Sequence, residues 1–325
     1  MPHAIRIHEH GGPEVLRWEE VPTPAPGPGE ALVRHAAVGL NYIDVYFRTG
    51  LYKPPGLPCV IGMEGAGTVE AVGPGVTEVA PGDRVAYATA PIGAYAEVRT
   101  LKADRLVKLP EDIGFETAAA MMLQGMTAEY LLRRTYAVKP GQTILIHAAA
   151  GGVGLIMCQW AKHLGATVIG TVGSDAKAEI ARAHGCDFPI VYTREDFVAR
   201  VKEITEGKML PVVYDSVGRE TFMKSMDCLA PLGLLVMFGN ASGAVPPFDI
   251  GILAAKGSLY LTRPTLATYT AKRDDLVASA NALFEVVRSG AVKIEVNQRF
   301  ALKDAAEAHR ALEGRRTTGS TILIP

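Results

Sequence analysis

The eight residues HAAAGGVG, 147–154, restrict the fold of this 325-residue chain more than any other stretch. Beyond His147 they offer no acid, base or nucleophile, only three alanines, three glycines and a valine. An apolar run, TILIH, precedes them, and a helical pattern from Val153 to Leu164 follows and stops at Gly165. At a strand-to-helix turn, glycines allow a tight reversal and let a pyrophosphate approach the backbone, while the N–H groups of the first helical turn attract its charge. The expected element is a dinucleotide cradle formed by Ala150, Gly151, Gly152 and Val153, with His147 a satisfied core residue at the strand end.

The alternation continues. TVIGTV leads to a helix around Lys177 to His184, and PIVY, VVYDSV, LLVMFG and SLYLTR follow with helical segments between most of them. Strand and helix in alternation predict an α/β architecture, a doubly wound parallel sheet covered on both faces. The first third differs: EALVRHAAV, GTVEAVG, DRVAYAT and AYAEVRT are short runs separated by turn signals such as PAPGPGE, which predicts a mainly antiparallel β domain. The expected division is residues 1–124 for that domain, 125–263 for the nucleotide domain, and 264–325, ending in the strand STILIP, returning to the first domain. The balance of 33 basic and 34 acidic residues gives a net charge of -1, without the basic footprint of a nucleic-acid binder. No run approaches the roughly 18 apolar residues of a membrane helix. The four scattered cysteines fit a reducing compartment, so a soluble cytoplasmic protein is expected, with neither membrane nor nucleic acid as partner.

A wider window, GQTILIHAAAGGVGLIMCQWAK (141–162), resembles the signature of the quinone oxidoreductase and zeta-crystallin branch of the medium-chain dehydrogenase/reductase superfamily. The matching positions are Gly141, Gln142, Leu145, Ala149, Ala150, Gly151, Gly152, Gly154, Gln159 and Lys162. GLNYIDVYFRTGLY, GDRVAY, VVYDSVG, FGNASG and TTGSTILIP extend the resemblance over the whole chain. It implies a GroES-like catalytic domain, a Rossmann domain and a homodimer.

The segment GMEGAGTVEAVGPGVTEVAPGDRV, 62–85, is similar to the one carrying a catalytic zinc ligand in alcohol dehydrogenases of that superfamily. Where those enzymes have His before the Glu, this chain has Met63, and Asn41 in GLNYID takes the place of a ligating Cys. Zinc prefers thiolate, imidazole and carboxylate ligands. No Cys lies between Cys59 and Cys158 to build a structural zinc lobe either, so no metal is expected, and Glu64 is expected to bond neighbouring groups instead. Without a Lewis acid to stabilise an alkoxide, the acceptor must carry its own electron sink, as a quinone or an α,β-unsaturated carbonyl does. The resemblance places Asn41, Tyr46 and Tyr52 near the nicotinamide as candidate catalytic residues, with Asn41 also a cofactor contact. Amide and phenol groups hydrogen-bond a quinone oxygen, and the rings stack on a flat acceptor.

Rossmann domains that select NAD carry an acid about 20 residues beyond the glycines; here Ser174 occupies that position and Lys177 follows it. The resemblance assigns Lys177, Tyr192 and Arg316 to a 2′-phosphate, which makes NADPH the expected cofactor. Asp175 is the dissenting acid, expected to serve the positive end of a helix dipole. Further cofactor contacts implied by the resemblance are Thr127, Gly173, Ser174, Ser216, Phe238, Gly239, Asn240, Ala241, Arg263 and Thr265. The expected function is zinc-independent, NADPH-dependent reduction of a small-molecule quinone. An NADPH-dependent enone or alkenal reductase stays open beside it, as does a cofactor-binding structural or RNA-binding role.

Overall fold

Two regions of different periodicity fold into two units, and the computed structural model describes residues 1–23, 25–88 and 91–325 of them. Pro24 of PAPGPGE and Thr89 of DRVAYAT lie outside the described residues. Unit 1 comprises Met1–Met126, Tyr269–Phe284 and Ile294–Pro325; unit 2 comprises Thr127–Thr268 and Glu285–Lys293. Relative to the division expected from sequence, residues 264–268 and 285–293 group with unit 2, and 125–126 with unit 1. The side chain of Gln159 ties down the end of the second stretch: its Nε2 donates to Lys293 O at 3.0 Å, and its Oε1 accepts from Lys293 N at 2.9 Å.

Unit 1 begins with β1 (His3–Ile7), β2 (Arg17–Glu20), β3 (Glu30–Leu40), β4 (Cys59–Val60), β5 (Glu64–Val72), β6 (Arg84–Ala88), β7 (Val98–Lys102) and β8 (Val107–Lys108). Unit 2 adds β9 (Thr143–Ile146), β10 (Thr167–Val172), β11 (Phe188–Val191), β12 (Leu210–Asp215), β13 (Leu229–Met237) and β14 (Tyr260–Thr262), and β15 (Val296–Ala301) and β16 (Ser320–Ile324) complete unit 1.

Unit 1 holds a three-stranded sheet, β2-β1-β4, and a seven-stranded one, β15-β16-β3-β5-β6-β8 with β7 also on β3. The long β3 has β5 along one edge and divides the other between β7, at Glu30–Arg34, and β16, at Val38–Leu40. Pairing is antiparallel except between β15 and β16. AYAEVRT becomes a strand only from Val98. Its first residues bond elsewhere, Tyr95 N–H to Ile61 O at 2.9 Å and Ile5 N–H to Tyr95 O at 2.8 Å. Val33, Val38, Leu40, Val69, Val85 and Tyr87 share one core with Leu302, Ala305, Ala308 and Leu323 of the C-terminal segment. Burying each large aliphatic side chain contributes about 1.5 to 3 kcal/mol. Two helices not assigned from the pattern matter below: Tyr42–Thr49 and Met122–Tyr130.

In unit 2 the sheet order is β11-β10-β9-β12-β13-β14, and every pairing is parallel. Leu145, Ile169, Ile190, Val213 and Leu235, one from each of five strands, pack with Phe197, Val201, Phe222 and Met226 of two helices. The order reverses between β9 and β12, the switch point at which doubly wound sheets leave a crevice for a ligand. The helices expected at 153–164 and 177–184 run Gly152–His163 and Asp175–Ala183. Among the described residues, no helix is long and apolar enough to cross a membrane.

Candidate active site

The candidate cofactor residues of unit 2 gather on one edge of the parallel sheet. Ala150 to Val153 follow β9, Gly173 and Ser174 follow β10, and Tyr192 follows β11; Ser216 follows β12, Phe238 to Ala241 follow β13, and Arg263 and Thr265 follow β14. Lys177 stands in the first turn of the helix Asp175–Ala183. This is the carboxyl edge of the strands, where open α/β sheets take their ligands. Thr127 lies apart on the helix Met122–Tyr130, 7% exposed. Arg316 belongs to unit 1.

The turn after β9 is built for close approach. Ala148 adopts a left-handed φ of 54° and accepts from Gly151 N–H at 2.9 Å. A Cβ on Gly154 would fall 2.2 Å from that same Ala148 oxygen, so a side chain there would push the helix off the turn. Gly151 caps the helix without a side-chain bond, which leaves first-turn N–H groups to an external acceptor. A helix start held close against the turn by glycine, with no side-chain cap, fits a pyrophosphate. His147 is 1% exposed beneath the turn. Ser225 Oγ donates to Asp215 Oδ2 at 2.8 Å, so it accepts from His147 Nε2–H at 3.0 Å, and His147 Nδ1 accepts from Thr171 Oγ1 at 2.8 Å. The ring is fully engaged in the core. Asp215 also accepts from Val217 N–H at 2.8 Å and Gly218 N–H at 3.1 Å, which fixes the loop carrying Ser216.

At the ends of β10 and β11, the space over Gly173 is bounded by the Tyr192 hydroxyl, 3.2 Å from where a Cβ would stand. Ser174 accepts from Lys177 N–H at 3.4 Å and caps the next helix. Asp175 has a partner that the sequence reading missed. Arg194 donates to both of its oxygens at 2.6 Å, and this guanidinium holds the carboxyl below the usual carboxylate range. Farther along the edge, Arg263 donates to Met237 O at 3.1 Å, and Asn240 accepts from Arg263 at 3.3 Å while donating to Gly239 O at 2.9 Å.

In unit 1, Asn41 begins the helix Tyr42–Thr49 and is 5% exposed. Its Nδ2 donates to Glu64 Oε2 at 2.6 Å, and its Oδ1 accepts from Gln124 Nε2 at 3.1 Å. Gln124 is set in turn by Ser320 Oγ, which donates to its Oε1 at 2.8 Å. The orientation of the Asn41 amide is thus fixed from both sides, and Nδ2 carries a second N–H beyond the one given to Glu64. Glu64 is fully buried, and its other oxygen accepts from Leu123 N–H at 2.7 Å at the start of the helix Met122–Tyr130. Burial pushes its carboxyl up to about 8, against the pull of the N–H donors. A Cβ on Gly39 would lie 2.3 Å from Glu64 Oε2, so the strand beneath requires glycine.

A second buried array starts at the same helix. Asp44 Oδ2 accepts from Asn41 N–H at 2.9 Å and from Tyr95 OH at 3.0 Å; Tyr95 meets His309 Nε2 at 3.1 Å. Arg48 donates to His309 Nδ1 at 2.9 Å and to both oxygens of Glu313 at 2.8 Å. Because Arg48 only donates, Nδ1 accepts, and the proton sits on Nε2 facing Tyr95. The donors then run from Arg48 through His309 and Tyr95 to Asp44, whose Oδ1 is buried without a partner and whose carboxyl burial pushes up to about 7. Tyr46 and Tyr52 lie edge to face with ring centroids 5.2 Å apart, Tyr46 7% exposed and Tyr52 half-buried. The sequence reading placed Asn41 and the two tyrosines but gave no sign of Gln124, Ser320, Tyr95 or His309, which no local spacing links to them. Among the described residues, no group of three or more His, Cys, Asp or Glu side chains is arranged to hold a metal ion.

The family model described as a zinc-binding dehydrogenase matches residues 152–272, and that described as an alcohol dehydrogenase GroES-like domain matches residues 27–111. A quinone oxidoreductase of Pseudomonas aeruginosa is 56% identical over 325 residues, 100% of each chain. The crystal structure of Escherichia coli quinone oxidoreductase complexed with NADPH superposes with a TM-score of 0.98 at 52% identity, covering 99% of this chain and 100% of that one. A 2-haloacrylate reductase of a Burkholderia species is 46% identical over 334 residues, 100% of this chain and 99% of that protein. The chain belongs to the quinone oxidoreductase branch of the medium-chain dehydrogenase/reductase superfamily.

Proposed function

We propose that the protein is an NADPH-dependent reductase of small-molecule quinones that works without zinc. The observation that carries the reading is the full-length similarity to quinone oxidoreductases, combined with the cradle after β9 and the Ser174–Lys177–Tyr192 corner at the ends of β10 and β11. NADPH, when bound, would supply two electrons and one proton in sum, and a second proton from water would complete the hydroquinone. The N–H groups after Gly151 hold the pyrophosphate, and Lys177 and Tyr192, with Arg316, hold the 2′-phosphate. Ala150, Gly173, Ser216, Phe238 to Ala241, Arg263, Thr265 and Thr127 make the remaining cofactor contacts. Asn41 donates its second N–H to a quinone oxygen, and Tyr46 and Tyr52 flank the flat ring. The chemistry these groups provide is orientation of a strongly electrophilic acceptor. The carboxyl group nearest Asn41, that of Glu64, has each oxygen committed to an N–H donor.

Purified protein should oxidise NADPH with simple quinones and show little activity toward saturated ketones. Asn41→Ala should lower turnover about 10- to 100-fold, by analogy with single positioned donors. The similarity to a 2-haloacrylate reductase favours one second reading, reduction of an activated double bond. A panel of 1,4-quinones, 1,2-quinones and activated alkenes decides between them: alkenes reduced far faster than every quinone would replace the quinone assignment. NADPH binding without turnover on any acceptor would instead favour a structural or RNA-binding role.

The cytoplasm is the proposed compartment, since the four cysteines are free and suit a reducing environment. A homodimer is the proposed assembly. The edge strand β14 carries Tyr260 61% exposed, and a sheet edge with unpaired N–H and C=O groups invites a second copy. Sedimentation equilibrium should give twice the 34.6 kDa chain mass, and Tyr260→Arg should shift the population toward the monomer; a monomeric wild type at micromolar concentration would refute the assembly.

A further inference from the structure

We propose that Arg194 determines cofactor preference by neutralising Asp175. The inference rests on the NADPH reading, which puts a 2′-phosphate at the ends of β10 and β11. Asp175 stands one residue after Ser174, beside the position from which an acid selects the ribose hydroxyls of NAD. Its carboxylate is 73% exposed on the turn that carries Ser174 and Lys177. Left bare, it would repel a phosphate and favour NADH.

Arg194 prevents this. It follows Tyr192 by two residues after β11, and its fork meets both Asp175 oxygens at 2.6 Å. Planar two-point pairing of this kind is specific to Arg. Thr193, between them, donates to Gly173 O at 3.5 Å and holds the two strand ends in register. The pair is too exposed to matter much for stability, since surface ion pairs contribute little. Its consequence is electrostatic: Arg194 balances the Asp175 charge beside the corner that receives the phosphate, where an unmasked carboxylate would oppose it. Asp175 and Arg194 touch each other, so they act on specificity through charge and position rather than as catalytic residues.

Equilibrium binding of NADPH and of NADH, followed by nicotinamide fluorescence, tests the idea in four variants: Lys177→Ala, Arg194→Gln, Asp175→Asn and the Asp175→Asn/Arg194→Gln pair. Arg194→Gln should weaken NADPH about tenfold, the scale of one uncompensated charge facing a phosphate across a water-exposed gap, and leave NADH unchanged or tighter. The loss should shrink in high salt, because the interaction is screened. Removing Asp175 as well should bring NADPH binding back to within about threefold of wild type, since no acid remains to unmask. An equal loss from Arg194→Gln in the wild-type and Asp175→Asn backgrounds would overturn the proposal and make Arg194 a direct phosphate ligand. No loss in either background would overturn it as well. Lys177→Ala separates this from the reading beneath it. A loss confined to NADPH keeps the 2′-phosphate at this corner whatever Arg194 does, whereas equal losses for both cofactors remove the NADPH assignment and the proposal together.

Discussion

Gly154→Val is expected to weaken NADPH binding by about a hundredfold or more. Even the first atom of the new side chain would sit 2.2 Å from Ala148 O and 2.8 Å from Ala149 Cα, both backbone, so no rotamer relieves the clash. The helix Gly152–His163 must tilt or slide away from the turn after β9, carrying its uncapped first-turn N–H groups off the pyrophosphate. Charge-assisted hydrogen bonds contribute about 1.5 to 3 kcal/mol each, and about 1.4 kcal/mol is tenfold in affinity. Losing two of them gives the stated factor. Gly151→Ala is the internal comparison: its Cβ would stand 3.2 Å from the same oxygen, tight but tolerable, and the loss should be severalfold at most. Fluorescence titration measures both, with circular dichroism to establish that the variants fold. Binding by Gly154→Val within threefold of wild type would mean that the pyrophosphate does not lie over this turn.

The strand–turn–helix unit after β9 was legible because everything that makes it is local. Strand, turn and helix start occupy consecutive residues, and the glycines are required by atoms three to six positions away, as Gly154 is by Ala148. The doubly wound sheet was legible for the same reason, since alternating short apolar runs and helical stretches dictate it. The surroundings of Asn41 were not. Its amide is fixed by Gln124, 83 positions away, which is itself set by Ser320, 196 positions farther, and no periodicity connects such residues. Asp175 shows the intermediate case. Its placement on the first turn of a helix was readable, but a neighbour 19 positions along, at the end of the adjacent strand, decides its charge environment. Knowing that β10 and β11 pair in register would have exposed Arg194, because the residues after two paired parallel strands emerge side by side. Glu64 had one sequence cue, its place beside Met63, and the structure adds that it accepts N–H groups at a helix start from within a dry core.

The stability of unit 1 should be nearly flat from about pH 4.5 to 6.5 and then fall by about 2 to 3 kcal/mol between pH 6.5 and 8. Four buried groups of that unit dictate the shape. Burial raises Asp44 to about 7 and Glu64 to about 8, and burial lowers His35 to about 4 and His309 to about 3. Between about pH 4.5 and 6.5 the folded chain holds two carboxyl protons that the unfolded chain has lost, which makes stability fall as pH rises. Over the same interval the unfolded chain holds two imidazole protons that the folded chain lacks, which makes stability rise at the same rate, about 1.4 kcal/mol per pH unit for each group. The slopes cancel. Above pH 6.5 the histidines are neutral in both states and drop out, leaving Asp44 to act up to about 7 and Glu64 up to about 8. Below pH 4.5 the carboxyls drop out, and protonation of the histidines in the unfolded state erodes stability. Urea unfolding of the unit 1 transition at half-unit pH intervals measures the curve. Asp44→Asn should remove the early part of the decline, because the amide nitrogen can take the place of the unpartnered Oδ1 without a titrating proton. A decline that ended near pH 7 instead of 8 would mean that the N–H donors of Leu123 and Asn41 outweigh desolvation at Glu64, which would then be ionised in both states and drop out of the slope. Glu64 would then stand as a fixed negative charge accepting from Asn41 Nδ2–H and Leu123 N–H within the core.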